Sequence, residues 1–218
     1  MNFLELTWNI LPKLLEGTAV TIELTFISII IGVLMGIPVA LGKVYGNKSI
    51  YTVSTFFVEI IRGTPLLTQL FILYFGLPSI GIMLSPFKAA LIGMGINSAA
   101  YQAEYFRGAI QSVKEEQLIA AYSLGMRQGQ AIRYIVLPQM FRLVIPSWSN
   151  ELIYLLKYSS MAYMIQAPEI MSQGRLIASR NFRTFEVFIV VALIYLVLVL
   201  LLSKLLDLME KRFSIPGL

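Results

Sequence analysis

An all-α polytopic membrane protein with about five transmembrane helices, its N-terminus outside and its C-terminus inside, is the fold class the sequence predicts. Three observations point there. Of the 218 residues, 57% are hydrophobic and 13% charged, roughly half the charged share of an ordinary soluble domain. Two runs free of charge, 24–42 between Glu23 and Lys43 and 187–203 between Glu186 and Lys204, are each long enough to cross about 30 Å of hydrocarbon. Basic residues gather on the segments that an N-out arrangement puts inside, among them Lys43, Lys48, Arg107, Lys114, Arg127, Arg133, Lys204 and Lys211, against Lys13, Lys88, Arg175, Arg180 and Arg183 outside. The whole chain, 1–218, reads as a single transmembrane domain. It has an interfacial helix over 1–16, a core over 17–212 and a polar insert over 112–138.

The first residues lack the positive n-region of a cleaved signal peptide. Leu4, Trp8, Leu11 and Leu15 share one helical face, which suits either a short helix lying at the headgroups or the frayed start of the first span. In that span Gly32, Gly36 and Ala40 form a small-xxx-small stripe that permits close packing, within one subunit or between two. The second span, near 50–75, is broken at Arg62-Gly63-Thr64-Pro65. Proline has no N–H to donate and disfavours helical geometry at Thr64, while Gly63 tolerates the unwound backbone. The half-helix beginning near Leu66 would then turn a positive end, Gly63 and Thr64 toward a solute carboxylate; the plain alternative is a proline kink satisfied by neighbouring helices. Between 66 and 87 the run carries Gly76, Pro78, Gly81 and Pro86, which reads as a helix end, an external loop and the next start.

The third span, near 86–111, sets Asn97, Tyr101 and Glu104 at i, i+4 and i+7 with Ser98 beside them, so their polar groups face a cavity or one another. Glu104 lies near the inner surface and can pair with Arg107. The insert reads as two short helices. Ser112 with Glu115 three residues on is a capping-box pattern and Gly125 a permissive C′ position, giving a helix over 113–124; a second runs over 127–137 until Pro138 resets the chain. The fourth span, near 142–172, brings Asn150, Glu151, Tyr154, Lys157 and Ser160 together. Glu151 is the candidate to receive a cationic side chain, or else pairs with Lys157, as Glu59 can with Arg62. A loop over 173–185 leads to the last span.

Composition excludes much chemistry. With no cysteine and no histidine there are no disulfides, thiolate nucleophiles or Cys/His metal sites, and no metal or catalytic residue is assigned. The phosphate loop GxxxxGK[ST] is absent, so an energy source has to come from a partner. The net charge of +5 suits an anionic inner leaflet and calls for no nucleic acid.

Ile119-Ala120-Ala121, then Gly125, then Ile135-Val136-Leu137-Pro138, resembles the EAA motif of ABC-importer permeases. Glu59-Ile60-Ile61-Arg62-Gly63-Thr64-Pro65-Leu66-Leu67, Ala100-Tyr101-Gln102-Ala103-Glu104 with Arg107-Gly108, and Leu155-Leu156-Lys157-Tyr158-Ser159-Ser160 look like the signatures of the polar amino-acid branch, the histidine, glutamine and arginine permeases. Four motifs in order cover roughly 15 to 212. The resemblance implies a type I ABC-importer permease fold in a bacterial cytoplasmic membrane. It also implies a coupling helix, carrying Ile119, Ala120, Ala121, Tyr122, Leu124 and Gly125, set into a cleft of a cytoplasmic ATPase dimer. The implied partners are that ATPase, a second permease copy or homologue, an external amino-acid-binding protein and the amino acid itself. ATP and magnesium would be held by the ATPase and no cofactor by this chain. The motif's glutamate is Ile119 here, so its salt bridge is absent and shape and apolar burial have to carry the contact; the branch's acidic fourth-span position is Tyr158. The function expected is a non-catalytic permease subunit of an ATP-driven importer of polar amino acids, tilted by Glu151 toward basic ones. An ion-coupled secondary transporter using Glu59, Glu104 or Glu151, or a membrane scaffold subunit, is the alternative.

Overall fold

A computed structural model describes residues 2–213, and its described residues are helices and connecting turns without strands. The longest elements are α1 (Phe3–Tyr45), α4 (Pro86–Gln111) and α10 (Thr184–Phe213). Between α1 and α4 lie α2 (Lys48–Gly63) and α3 (Leu66–Phe71); between α4 and α10 lie α5 (Glu115–Ser123), α6 (Gln128–Ala131), α7 (Leu137–Leu143), α8 (Ile145–Tyr158) and α9 (Ile170–Asn181). α1 and α10 are long and apolar enough to cross a bilayer. The α2–α3 pair, bent by 100° at its break, makes a third such crossing if counted as one. α4, though 26 residues long, falls below that apolarity because it carries polar groups described below, and α8, at 14 residues, is too short to count by itself.

α4 is the central helix. It is faced by Ala89, Ala90, Gly93, Gly95, Ala99, Ala100 and Ala103, small residues that let α1, α3 and α8 approach. A Cβ on Gly36 would lie 3.1 Å from the Ala99 carbonyl and the Ala103 amide, so the small stripe of α1 packs inside the subunit, against α4. Three apolar clusters follow the axis. Leu6, Ile10 and Leu14 meet Ile170, Val187 and Val191 at one end; Leu24, Leu70, Met94, Leu152 and Ile165 fill the middle; Ala40, Phe106, Ile110, Val136 and Met140 close the end that bears the insert.

Several local expectations are corrected. No break follows residue 16: α1 runs unbroken through 43 residues, about 64 Å at helical rise. Its first turns are held because Leu6, Ile10 and Leu14 bury against α9 and α10, leaving Leu4, Trp8 and Leu15 on the exposed face. The insert's first helix begins at Glu115 instead of 113, because Ser112 Oγ donates to the Gly108 carbonyl and closes α4 instead of capping α5. The second insert helix does not stop at Pro138. A π-helical turn over Ile132–Val136 widens the backbone ahead of the proline ring, and the chain passes through α7 into α8. The expected 173–185 loop is largely α9, started by Glu169, whose carboxylate accepts the Met171 and Ser172 amides at 2.8 and 2.7 Å and the Tyr195 hydroxyl at 2.9 Å.

Candidate functional site

At the centre of the bundle α4 and α8 face each other across a buried polar cluster. Ser98 Oγ donates to Glu151 Oε1 at 2.9 Å, and Tyr105 Oη reaches Glu151 Oε2 at 3.4 Å. Gln102 Nε2 donates both to Ser98 Oγ at 2.9 Å and to the Ile29 carbonyl at 3.1 Å, which fixes the serine's orientation. Glu151 is 6% exposed and Ser98 fully buried. A carboxylate so far from water is costly unless hydrogen-bonded or paired, and these partners are neutral hydroxyls. Gly32 makes room for the cluster, since a Cβ there would stand 2.0 Å from Gln102 Nε2 and 2.7 Å from Ser98 Oγ.

A second strand of the network reaches the broken helix. Asn97 Nδ2 donates to Gln69 Oε1 at 3.1 Å, and Gln69 Nε2 donates to the Ile61 carbonyl at 2.8 Å and to Thr64 Oγ1 at 2.9 Å. The break at Gly63–Pro65 therefore exists as expected. Its orphaned carbonyls are satisfied by Gln69 from the next turn, while Thr64 Oγ1 donates back to the Ile60 carbonyl at 2.9 Å. α3, a helix of 6 residues, runs on through a π-helical turn over Ile72–Gly76 and a 3-10 turn over Leu77–Ile80.

Of the residues singled out from sequence, Thr64, Asn97, Ser98 and Glu151 belong to this network. Gly63 and Tyr101 line a neighbouring cavity of about 360 Å³ with Lys43, Glu59, Arg62 and Glu104. Tyr154 is exposed on the face of α8, stacked on Tyr158 at 5.9 Å, with Lys157 Nζ 4.6 Å from its ring. Ser160 lines a separate, mostly apolar crevice against α10, donating to the Lys157 carbonyl. Gln69, Gln102 and Tyr105 were missed. Gln102 stands one helical turn from Ser98, and that spacing was the available signal. Glu104 pairs with Arg107 at 2.8 Å as its spacing implied, and also with Lys43 of α1 at 2.6 Å, a partner 61 positions away that no local pattern announces. Among the described residues no group of three or more acidic side chains could hold a metal.

The insert closes with a Schellman arrangement. The Met126 amide donates to the Ala121 carbonyl at 3.1 Å and the Gly125 amide to the Tyr122 carbonyl at 2.9 Å, with Gly125 at φ 79°. Gln139 Nε2 donates to Gln117 Oε1 at 2.5 Å, tying the insert to α7. Ile119, Tyr122 and Leu124 are 57%, 45% and 84% exposed, and Ala120 and Gly125 are exposed beside them, whereas Ala121 at 2% faces the protein.

A lipid-crossing helical bundle with a polar cluster at its core and an apolar-tipped insert at one end has the build of a membrane transport subunit. Residues 10–215 match the family described as binding-protein-dependent transport system inner membrane component, and the chain belongs to that family. It is 34% identical over 210 residues to the glutamine transport system permease protein GlnP of Escherichia coli (strain K12), covering 95% of this chain and 96% of that one. It is 35% identical over 205 residues to the arginine transport system permease protein ArtQ of Bacillus subtilis (strain 168), covering 94% of each. A crystal structure of an amino acid ABC transporter with histidines contains a chain that superposes at a TM-score of 0.90, with 40% identity over 97% of this chain and 99% of that one. The MetNI methionine ABC transporter in inward-facing form, at 0.79 and 21% identity, shares the fold. The resemblance read from the four motifs is thus upheld: the chain is an ABC permease subunit, itself non-catalytic, and ATP is hydrolysed by a separate ATPase.

Proposed function

We propose that this chain is the permease subunit of an ATP-driven importer of polar amino acids, with basic side chains favoured, in a bacterial cytoplasmic membrane. The observation that carries the reading is Glu151, a buried carboxylate hydrogen-bonded by neutral hydroxyls at mid-bundle. Such a group attracts a cation, and a solute's ammonium or guanidinium supplies one. Relatives named for glutamine and for arginine support the amino-acid class without choosing between neutral and basic members.

In this reading α1, the α2–α3 pair, α4, α7–α8 and α10 are five crossings with the N-terminus outside, and two permease copies or homologues enclose the path. An external binding protein delivers the amino acid. ATP and magnesium sit on an ATPase dimer whose closure pushes the insert at Ile119, Ala120, Tyr122 and Leu124, and the bundle rocks to switch access. Ala121 supports that helix from beneath, since it is 2% exposed.

The test is to copurify the chain with its ATPase, reconstitute both with the binding protein, and measure which amino acids stimulate ATP hydrolysis. Stimulation by arginine, lysine or histidine is expected. Uptake of glutamine that arginine does not inhibit would remove the basic preference, and uptake collapsed by an ion-gradient uncoupler with ATP intact would replace the importer by a secondary transporter.

A further inference from the structure

The cavity of about 360 Å³ walled by α1, α2 and α4 holds two opposite charges that no close partner answers. Glu104, on one wall, is already met by Lys43 Nζ at 2.6 Å and Arg107 Nη2 at 2.8 Å, while Arg62 Nη1 stands off at 4.0 Å. The Arg62 guanidinium lies instead over the Tyr101 ring, 5.0 Å from its centroid, and donates no hydrogen bond among the described residues. Stacking of that kind keeps a guanidinium charged while its in-plane donors stay available. Glu59, one turn back on α2, lines the same cavity and makes neither an ion pair nor a hydrogen bond among the described residues. The spacing i and i+3 permits a Glu59–Arg62 pair, yet the arginine turns toward Tyr101 and the pair is not made.

A carboxylate and a guanidinium on one wall, unpaired with each other, match a dipolar ligand that turns an ammonium to the first and a carboxylate to the second. The α-ammonium and α-carboxylate of a free amino acid share one carbon and fit that arrangement whatever the side chain. The size agrees, since 360 Å³ lies at the small end of the range of small-molecule sites. Val58 is the sole aliphatic residue in the lining, so there is no groove for an acyl chain, and a phospholipid headgroup, which can also carry both charges, fits less well. Gly63 leaves the wall open, because a Cβ there would meet nothing within 4 Å. The cavity lies toward the insert: Ala40 and Phe106, close in sequence to Lys43 and Glu104, belong to the apolar cluster at that end.

We propose that this cavity is a second solute site, on the insert side of Glu151, which holds an amino acid's α-carboxylate on Arg62 and its α-ammonium on Glu59 beside the Tyr101 ring. It recognises the backbone of the amino acid and takes neutral and basic members alike on their way toward the insert end. The proposal rests on the solute being an amino acid and is independent of Glu151 as a cation site.

The chain contains no cysteine, so Gly63→Cys places a single reporter on the cavity wall. In the complete permease–ATPase complex in phosphatidylcholine nanodiscs, glutamine and arginine should slow its modification by a charged thiol reagent at similar concentrations. Agmatine, which lacks the carboxylate, and glutaramate, which lacks the ammonium, should not. Arg62→Gln and Glu59→Gln should each raise the half-protecting concentration by about tenfold, the scale of one charge-assisted hydrogen bond, and Glu59→Gln carries the test if Arg62→Gln fails to assemble. If Gly63→Cys itself fails to assemble, equilibrium binding of glutamine to the complex reads the same two substitutions. Glu151→Gln should leave the protection in place. Equal protection by agmatine or glutaramate, protection unmoved by both substitutions, protection lost with Glu151→Gln, or protection by added phosphatidylethanolamine in place of the amino acid overturns the proposal. Amino-acid-stimulated ATP hydrolysis by the parent complex with its binding protein separates the two readings. Stimulation without protection overturns this site alone, whereas no stimulation by any amino acid overturns the importer reading and this site with it.

Discussion

Removing the charge at Glu151 while keeping its shape isolates what the carboxylate does. Glu151→Gln can still accept a hydrogen bond from Ser98, so the bundle should assemble at normal levels, while uptake of basic amino acids falls by about tenfold or more, the cost of one lost charge contact in a desolvated site. Basic uptake equal to the parent's would leave the cluster as internal glue. Gly32 gives a complementary prediction about space. Gly32→Ala puts a Cβ 2.0 Å from Gln102 Nε2, and the displaced amide loses its bonds to Ser98 and Ile29. A destabilisation of about 1–3 kcal/mol should appear as a lowered melting temperature in detergent. Gly63→Ala is its control, since nothing lies within 4 Å of the added carbon, and an equal loss at both positions would refute the packing argument. The half of this site that was legible in the sequence was the half written locally. Asn97, Ser98 and Glu151 announce themselves as polar groups in apolar surroundings. Gln69 and Tyr105 do not, because their roles depend on how the 100° bend and the α4–α8 contact bring distant turns together.

At the scale of the element, the insert is a short helix with one face spoken for and one face bare. Ala121 lies against the protein and Leu124 at the tip is 84% exposed, so the same aspartate should act differently at the two positions. Ala121→Asp buries an unpaired carboxylate and should lower the level of folded protein and open the insert to protease. Leu124→Asp should leave level and protease resistance unchanged and abolish solute-stimulated ATP hydrolysis in the reconstituted complex, because the lost contact is with the partner. If Leu124→Asp supports normal stimulated hydrolysis, the insert is not the lever. Element boundaries show where sequence reasoning is weakest. Gly125 is the C′ residue that its place in the sequence implies, since φ 79° is a backbone demand that glycine meets at low cost. Ser112 departs from the capping-box expectation because a serine hydroxyl can cap the helix after it or bond back to the helix before it. Here the tight three-residue turn before α5 favours the Gly108 carbonyl. Pro138 does not act as a stop because a π-helical turn accommodates its ring without ending the helix.

Over the whole molecule, the two sides of the bundle present different solvents. α10 exposes Leu193, Leu196, Val197, Leu200, Leu201, Leu205 and Leu208, an aliphatic surface suited to acyl chains. α8 exposes Asn150, Tyr154, Lys157 and Tyr158, spaced i, i+4, i+7 and i+8 and so on one face, and the stacked Tyr154–Tyr158 pair carries the Lys157 ammonium along that face. Asn150 lies within α8 and Lys157 in its last turn, at the crevice shared with α10, and both polar groups are costly against acyl chains. The α8 side is therefore the side that should meet water and a second permease copy, while α10 should meet lipid. The chain contains no cysteine, so single cysteines report cleanly. Tyr158→Cys should yield a crosslinked permease pair in native membranes and in the ATPase complex, and Leu201→Cys should remain monomeric in the same reaction. Crosslinking through Leu201 with none through Tyr158 would reverse the assignment and put α8 against lipid, where Lys157 would have to be neutralised or snorkel to survive.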